Sequence, residues 1–219
     1  MSWTDKQSIR VINYLKGKFN VKTFIETGTH VGVNAQLHSQ NFKKVLTCEK
    51  IKEYFDKAKD RCKEEKNVFI YKQDSVEFLK KFREEPMPIF YLDAHFYEKG
   101  MKDKTNEEKF VVIRELKALK GKEDCIIIIH DFDNNLGHIT YDGQPLDLEL
   151  IKKDLMAVNP NLKLYTNELS SCDIKRLEEA EDWEEFINLR YTWSKPEKTY
   201  RGILYAVPKE INIKGLKRI

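Results

Sequence analysis

The stretch Phe24–Gly32, F-I-E-T-G-T-H-V-G, decides the fold, because a β-branched and aromatic run ends here in a glycine turn. Glu26, Gly28 and Gly32 form the pattern E-x-G-x-x-x-G. Glycines in such a turn let the backbone approach a ligand closely, and the following helix points its N-terminus at the same space. The pattern predicts a strand–turn–helix unit beside a binding crevice, although a tight turn without a ligand would have the same spacing.

The alternation of strand and helix continues along the chain. Apolar runs follow at 44–49, 68–72, 88–93, 125–130, 162–166 and 201–208. Helical patterns cover 4–19, 33–41, 51–66, 75–85, 105–120, 148–158 and 173–190. Successive strand–helix units are typical of a parallel sheet, and continuous apolar runs fit strands covered on both faces. We predict an α/β fold, Rossmann-like and doubly wound, with a mostly parallel seven-stranded sheet and helices on both faces.

The composition excludes several classes of protein. Of the 219 residues 34% are charged, but the charges nearly balance at +3, so a nucleic-acid partner is not required. The longest aliphatic run, Ile126–Ile129, is far below the roughly 20 residues of a membrane span, and the N-terminus lacks the apolar core of a signal peptide. The four scattered cysteines are expected to be reduced, which suggests a cytoplasmic protein. We expect a single domain over 1–219, with an N-terminal helix in 1–20.

Polar residues follow the second and third predicted strands. Glu49 ends the second strand, 21 residues after Gly28, and Asp74 and Ser75 follow the third. An acid at the end of the second strand can accept hydrogen bonds from both ribose hydroxyls of a nucleoside. Alternatively, Glu49 only begins the next helix, where a carboxylate benefits from the helix dipole. Three polar strand ends at one edge of a sheet predict a nucleoside pocket.

Together, E-T-G-T-x-x-G, Glu49 and the D-S pair resemble the class I S-adenosylmethionine-dependent methyltransferases over about residues 20–135. The resemblance implies S-adenosylmethionine as cofactor, with the glycine turn at its methionine part, Glu49 at the ribose, and Asp74 with Ser75 near the adenine. The cofactor-binding residues it implies are Glu26, Thr27, Gly28, Thr29, His30, Gly32, Glu49, Asp74, Ser75 and Asp93. His30 stands where the family often has glycine.

A dinucleotide-dependent dehydrogenase is the competing interpretation of the glycine turn. Its turn has the pattern G-x-G-x-x-G, and the spacing from Gly28 to Gly32 lacks the second glycine that lets a pyrophosphate approach. Glu26 would also repel a pyrophosphate. A sulfonium cofactor has no phosphates, so the sequence favours the methyltransferase.

A second group of polar residues follows the fourth and fifth strands. Asp93, His95, His130, Asp131 and Asp133 come from Y-L-D-A-H-F-Y-E and I-I-I-I-H-D-F-D, which close neighbouring strands at one edge. Burying several carboxylates together is unfavourable unless something compensates, and a divalent cation would do so. Carboxylates suit Mg²⁺ or Ca²⁺, whereas histidine favours a transition metal. The alternative is that each residue has a separate local role.

The pattern D-A-H-x-Y-E followed by I-I-x-H-D resembles a metal-dependent subfamily of these methyltransferases, which includes the macrocin O-methyltransferases and cephalosporin hydroxylase-like proteins. It implies Asp93 and Asp131 as ligands of a divalent cation, with Mg²⁺ expected. His130 stands where an acid often occurs, so the third ligand is open.

These resemblances lead us to expect an O-methyltransferase acting on a hydroxyl of a sugar, glycan or related small molecule. A histidine can take the hydroxyl proton, and we expect His95 in this role, with His130 second and Asp93 supporting. The polar loop 132–147 is expected on the acceptor side, where Tyr141, Asp142 and Gln144 would bind a hydroxylated substrate. No N-P-P-Y-like motif follows the fourth strand, which disfavours nucleic-acid N-methylation. A metal-dependent hydrolase and a non-catalytic nucleoside-binding protein are the alternatives.

Overall fold

The computed structural model describes residues 6–95, 104–134, 140–141, 144–168 and 202–219. Its strands are β1 Thr23–Thr27, β2 Lys44–Cys48, β3 Val68–Tyr71, β4 Ile89–Leu92, β5 Ile126–His130, β6 Thr140–Tyr141, β7 Gln144–Pro145, β8 Lys163–Asn167, β9 Ile203–Val207 and β10 Leu216–Arg218. Its helices are α1 Lys6–Lys18, α2 Val33–Ser39, α3 Lys52–Arg61, α4 Ser75–Phe82, α5 Asn106–Lys109, α6 Val111–Ala118 and α7 Leu148–Val158.

One sheet has the strand order β10-β8-β9-β5-β4-β1-β2-β3. The neighbouring strands β5, β4, β1, β2 and β3 pair in parallel. Strand β9 runs antiparallel between β5 and β8. The predicted mostly parallel, doubly wound sheet is therefore confirmed. It has eight strands where seven were predicted, because Leu216–Arg218 pairs antiparallel with β8. Strand β10 shows no alternation of apolar and polar residues in the sequence, because it lies at the edge of the sheet and is mostly exposed.

Helices cover both faces of the sheet, as predicted. On one face, α1 and α2 pack in a core that contains Ile126 and Ile128. On the other, α4, α6 and α7 pack in a core that contains Ile127 and Ile129. Successive strand side chains point to opposite faces, so the isoleucine run of β5 fills both cores.

Several predicted elements have different bounds. The helix predicted over 105–120 divides into α5 and α6 at Phe110, whose backbone is extended (φ −110°, ψ 95°) and whose side chain is buried. The predicted loop 132–147 includes the short antiparallel pair β6–β7. The helix predicted over 173–190 lies outside the described residues. No helix within the described ranges has both the length and the apolarity that crossing a membrane requires.

The strand order reverses direction between β1 and β4, which is where ligands bind in open α/β sheets. Gly28 follows β1 with a positive φ of 79°. A Cβ at this position would lie 2.6 Å from the carbonyl oxygen of Asp93, which follows β4. The backbone amides of Gly28 and Thr29 both donate to the carbonyl of Cys48, at 3.0 Å. Glycine is thus required at position 28, because the ends of β1 and β4 are in close contact.

We predict that Gly28→Ala destabilises the protein more than Gly121→Ala. Both glycines have φ 79°, but a Cβ on Gly121 would meet no atom within 4 Å. Each substitution costs about 1–2 kcal/mol for a left-handed backbone, and Gly28→Ala should lose roughly 1–3 kcal/mol more from overpacking. Urea unfolding measures both free energies. Equal losses for the two variants would show that the contact with Asp93 relaxes freely.

Candidate active site

A cleft of about 420 Å³ opens at the carboxyl edge of the sheet. Seven of the residues singled out in the sequence line it: Gly28, His30, Glu49, Asp74, Ser75, Asp93 and His95. They come from the ends of β1 to β4, so the parallel strands bring together residues that are up to 67 positions apart.

Glu49 is held in place by two backbone amides. Its Oε2 accepts from the amide of His30 at 2.8 Å, and its Oε1 accepts from the amide of Ile51 at 2.9 Å. The carboxylate therefore links the glycine turn to the start of α3, which is one of the two roles expected for it. A carboxylate has about four acceptor sites, so both oxygens can still accept from a ligand. The side chain borders the cleft although it is only 8% exposed.

The sequence analysis missed the apolar and aromatic lining of the cleft. Ile51 is 53% exposed and Val111 is buried, yet both line it. Tyr54, one helical turn after Ile51, places its ring 4.3 Å from that of His30. Ile51 and Tyr54 stand three positions apart soon after Glu49. This i, i+3 spacing is the signal that could have identified the apolar wall of the cleft. Burial lowers the pKa of His30 to about 4, so this imidazole is neutral at physiological pH.

Four residues of the predicted cofactor set, Glu26, Thr27, Thr29 and Gly32, do not line the cleft. Glu26 is fully buried behind the turn, where it accepts from Asn34 and Thr47, each at 2.7 Å. Burial raises its pKa to about 7. The hydroxyls of Thr29 and Thr47 lie 2.5 Å apart. These side chains bind to each other and shape the turn from behind.

Gly32 and Thr27 have packing roles in the same turn. A Cβ on Gly32 would lie 3.1 Å from the Cα of Ala58, so this glycine lets α3 approach the start of α2. The Thr27 hydroxyl accepts from the amide of Asp93 at 3.3 Å, which joins the ends of β1 and β4.

The second predicted group converges as an Asp–His quartet, formed by Asp93, His95, His130 and Asp131. Asp93 Oδ1 lies 3.0 Å from His95 Nε2 and 3.1 Å from His130 Nδ1. Asp131 Oδ2 lies 3.1 Å and 3.4 Å from the same two nitrogens. One ligand atom from each residue lies within 4.8 Å of the other three, the spread of a metal coordination sphere. Asp133, the fifth residue expected nearby, is not in this group.

Charge compensation dominates the quartet. Burial alone would lower the pKa of His130, but the charges of Asp93 and Asp131 outweigh it and raise this pKa to about 10. In the same way, burial opposes ionisation of the two aspartates, yet the charge of His130 and hydrogen bonds hold their pKa values well below the usual range. The pKa of His95 is raised against its burial by hydrogen bonds to both aspartates. Without a cation, the imidazoles thus balance the carboxylates.

The quartet also suits a divalent cation. The Asp93 side chain is fully buried, and within the described part of the chain its Oδ2 has no hydrogen-bond partner. Buried polar atoms are normally paired, so this oxygen leaves a position for a partner beyond the described residues, such as a bound cation. Carboxylate oxygens and imidazole nitrogens are both ligands of divalent metals.

The expected acceptor residues are only partly described. Gln144 lies in β7 and is half-buried, and Tyr141 pairs with it through the backbone of β6. The side chain of Tyr141 and all of Asp142 lie outside the described residues. Their role in acceptor binding remains a prediction.

Glu115, on α6, is a buried carboxyl that the sequence did not reveal. It is fully buried beneath the cleft, next to the hydroxyls of Ser75 and Thr27. Burial raises its pKa to about 7, although these hydroxyls and the charge of His95 act in the opposite direction. The sequence of α6 does not indicate that Glu115 is buried, because a glutamate between apolar residues usually faces solvent.

No protein-family model matches the chain, and no curated protein matches it in sequence. Solved structures match its fold. An O-methyltransferase from Bacillus cereus in complex with SAH has a TM-score of 0.54 and 16% identity, covering 94% of this chain and 82% of that one. The magnesium protoporphyrin IX methyltransferase from Synechocystis with bound SAM has a TM-score of 0.52 and 13% identity, with coverages of 93% and 77%. A proposed rRNA methylase from Clostridium thermocellum has a TM-score of 0.53 and 13% identity, with coverages of 93% and 98%. The chain therefore has the Rossmann-like fold of S-adenosylmethionine-dependent methyltransferases.

We predict that Glu115→Gln stabilises the protein at pH 8 but not at pH 4. The folded-state pKa near 7 exceeds the usual 4.5, so the folded chain holds a proton that the unfolded chain releases between these values. Stability must fall as the pH rises through this window, by about 3 kcal/mol in total, and glutamine removes that loss. Urea unfolding at pH 4 and pH 8 measures the free energy of unfolding of wild type and variant. Glu64→Gln, at an exposed position, is the control. A Glu115→Gln effect independent of pH would contradict the prediction.

Proposed function

We propose that this chain is an S-adenosylmethionine-dependent O-methyltransferase that methylates a hydroxyl of a sugar, glycan or related small molecule with the help of a divalent cation. One observation carries the proposal. A single cleft is bordered by a fixed carboxylate, Glu49, and by two residues of the Asp–His quartet, Asp93 and His95. The carboxylate of Glu49 suits a nucleoside, and the residues of the Asp–His quartet suit the activation of a hydroxyl.

The cofactor would occupy the side of the cleft formed by the glycine turn and the start of α3. Glu49, already oriented by two amides, can accept hydrogen bonds from the two ribose hydroxyls. Ile51, which is exposed, and Val111 both line the cleft and would offer apolar contact to a flat base. The neutral His30 does not repel the positive sulfonium, as a charged imidazole would. Asp74, which also caps α4, lines the same cleft and would lie near the base.

The acceptor hydroxyl would lie at the quartet. A divalent cation held by Asp93 and Asp131 would lower the pKa of the hydroxyl and fix its oxygen. His95 takes the hydroxyl proton in this proposal, because its Nε2 lies at the cleft within 3.1 Å of both carboxylates. His130 has no exposed side-chain surface and does not line the cleft, so it is a poor candidate for the base. The shared cleft would hold the acceptor oxygen close to the methyl group of the cofactor, and such proximity favours methyl transfer with the sulfur as leaving group.

The alternatives explain fewer of the residues. A metal-dependent hydrolase accounts for the quartet but not for Glu49 and the glycine turn. A non-catalytic nucleoside-binding protein accounts for Glu49 but not for the burial of two aspartates beside two histidines. The fold likeness to a proposed rRNA methylase does not separate small acceptors from RNA, but the net charge of +3 is low for an RNA-binding enzyme.

Transfer of labelled methyl from S-adenosylmethionine tests the function directly. The acceptor panel should contain monosaccharides, oligosaccharides, small hydroxylated compounds and an rRNA transcript. We expect label in a hydroxylated small molecule. Label confined to the RNA would refute the proposed acceptor class, and cofactor binding without transfer to any acceptor would favour the non-catalytic alternative.

We predict that Glu49→Gln weakens S-adenosylmethionine binding about tenfold or more, because a lost charged hydrogen bond costs roughly 1.5–3 kcal/mol. Calorimetry of the product S-adenosylhomocysteine and of its 2′,3′-dideoxy analogue isolates the ribose contact. The substitution should weaken the first much more than the second. Glu53→Gln, exposed on α3, is the matched control. Equal weakening of both compounds would mean that Glu49 acts only by holding the turn.

We predict that a chelator abolishes methyl transfer and that added divalent cation restores it. Asp131→Asn should lose transfer at every cation concentration and still bind S-adenosylmethionine, because the cation serves the acceptor. Asn is suited to this position, where φ is 57°, since it tolerates the left-handed region. Transfer assays and calorimetry give the two readouts. Full activity of Asp131→Asn in chelator would make the carboxylates structural.

A further inference from the structure

We propose that His130 is a ligand of the cation and makes this site prefer a divalent transition-metal ion over Mg²⁺. The inference rests on the proposed function only in placing a cation at the quartet. It assigns the two histidines different tasks: His130 binds the metal and His95 moves the proton.

The distances around His130 fit a ligand. Its Nδ1 lies 3.1 Å from Asp93 Oδ1 and 3.4 Å from Asp131 Oδ2. Neighbouring donors on an ion with bonds of about 2.1 Å are about 3.0 Å apart in an octahedron and about 3.4 Å apart in a tetrahedron. The two oxygens therefore lie at the distances from Nδ1 that neighbouring donors on one ion have, and all three residues offer a ligand atom within 4.8 Å of the others. Three protein ligands leave positions for an acceptor oxygen, as catalytic metal sites require.

Burial separates His130 from His95. His130 ends the central strand β5, has no exposed side-chain surface and is absent from the cleft lining. His95 follows β4, retains 10% exposure and lines the cleft. An enclosed imidazole cannot reach an acceptor hydroxyl, but it can bind an ion held between Asp93 and Asp131.

The donor chemistry sets the preference. Mg²⁺ demands oxygen donors, while imidazole nitrogen favours ions such as Co²⁺ and Zn²⁺. Asp93 and Asp131, each only 3% exposed, carry two negative charges that a divalent ion neutralises. The Oδ2 of Asp93, which has no hydrogen-bond partner among the described residues, leaves further oxygen for the ion. Two carboxylates and one imidazole form a mixed set that a transition metal binds better than Mg²⁺ does.

The experiment measures metal binding by the full chain without cofactor or acceptor. Calorimetry gives the affinities for Co²⁺ and Mg²⁺, and the visible absorption of bound Co²⁺ reports its ligands. Wild type should bind Co²⁺ about 100-fold or more tightly than Mg²⁺, following the order of divalent affinities at nitrogen-containing sites. His130→Glu should reduce this ratio at least about tenfold and shift the Co²⁺ spectrum, because it replaces nitrogen by oxygen.

Two control variants keep the result interpretable. His95→Gln should keep the Co²⁺ preference and its spectrum while methyl transfer falls about 10²- to 10⁴-fold, the usual contribution of a general base. His38→Gln removes a buried histidine of α2 that packs against Phe24, and it should change neither the Co²⁺ preference nor the Co²⁺ spectrum. If His130→Glu does not fold, His130→Gln replaces it and should also lose the Co²⁺ preference.

Three outcomes would overturn the inference: equal affinity of wild type for Mg²⁺ and Co²⁺, an unchanged preference in the His130 variants, or loss of the preference in His95→Gln alone. Failure of the proposed function is distinguishable. A His130-dependent Co²⁺ site in a chain that methylates no acceptor supports the inference and refutes only the proposed function.

Discussion

The close approach of β1 and β4 at their carboxyl ends is the constraint on which the site depends. Residue 28 has no Cβ, so the turn after β1 can lie against the carbonyl of Asp93, where a Cβ would come within 2.6 Å. Thr27 reinforces the contact by accepting from the amide of Asp93. This contact puts the glycine turn beside the Asp–His quartet, so that a cofactor and an acceptor could share one cleft. A wider gap here would separate the two groups of residues.

Burial of charge is the second constraint, and the molecule meets it in different ways. Glu26 accepts hydrogen bonds from the neutral donors of Asn34 and Thr47, and burial raises its pKa to about 7. Asp93 and Asp131 instead stay ionised because two imidazoles lie within 3.4 Å. The two aspartates of the quartet are therefore ionised in a buried position, where the imidazoles balance their charge. That is the environment in which a cation would bind and in which an acceptor hydroxyl would be activated.

Sequence reasoning singled out seven of the residues that line the cleft, because the chemistry-bearing residues stand at strand ends. Gly28, Glu49, Asp74, Asp93 and His130 each follow or close a strand that the apolar pattern revealed, and parallel strands end at one edge. Glu26 and Thr29 belong to the same motif and were predicted to bind the cofactor, but both are buried and neither lines the cleft. Sequence reasoning also missed Ile51 and Tyr54, whose i, i+3 spacing on α3 is a local signal, because only the fold shows that this side of the helix borders the cleft.

The sequence by itself determined the parallel α/β architecture, the order of its elements up to β5 and the residues at its strand ends, because these follow from local periodicity and short-range pattern. Only the tertiary structure decided which side chains line the cleft, that the two histidines differ in burial, and that Leu216–Arg218 adds an eighth strand to the sheet. Each of these depends on contacts between residues far apart in the chain. Such contacts are set by how β1, β4 and β5 pack together, and no local pattern encodes the distances between them.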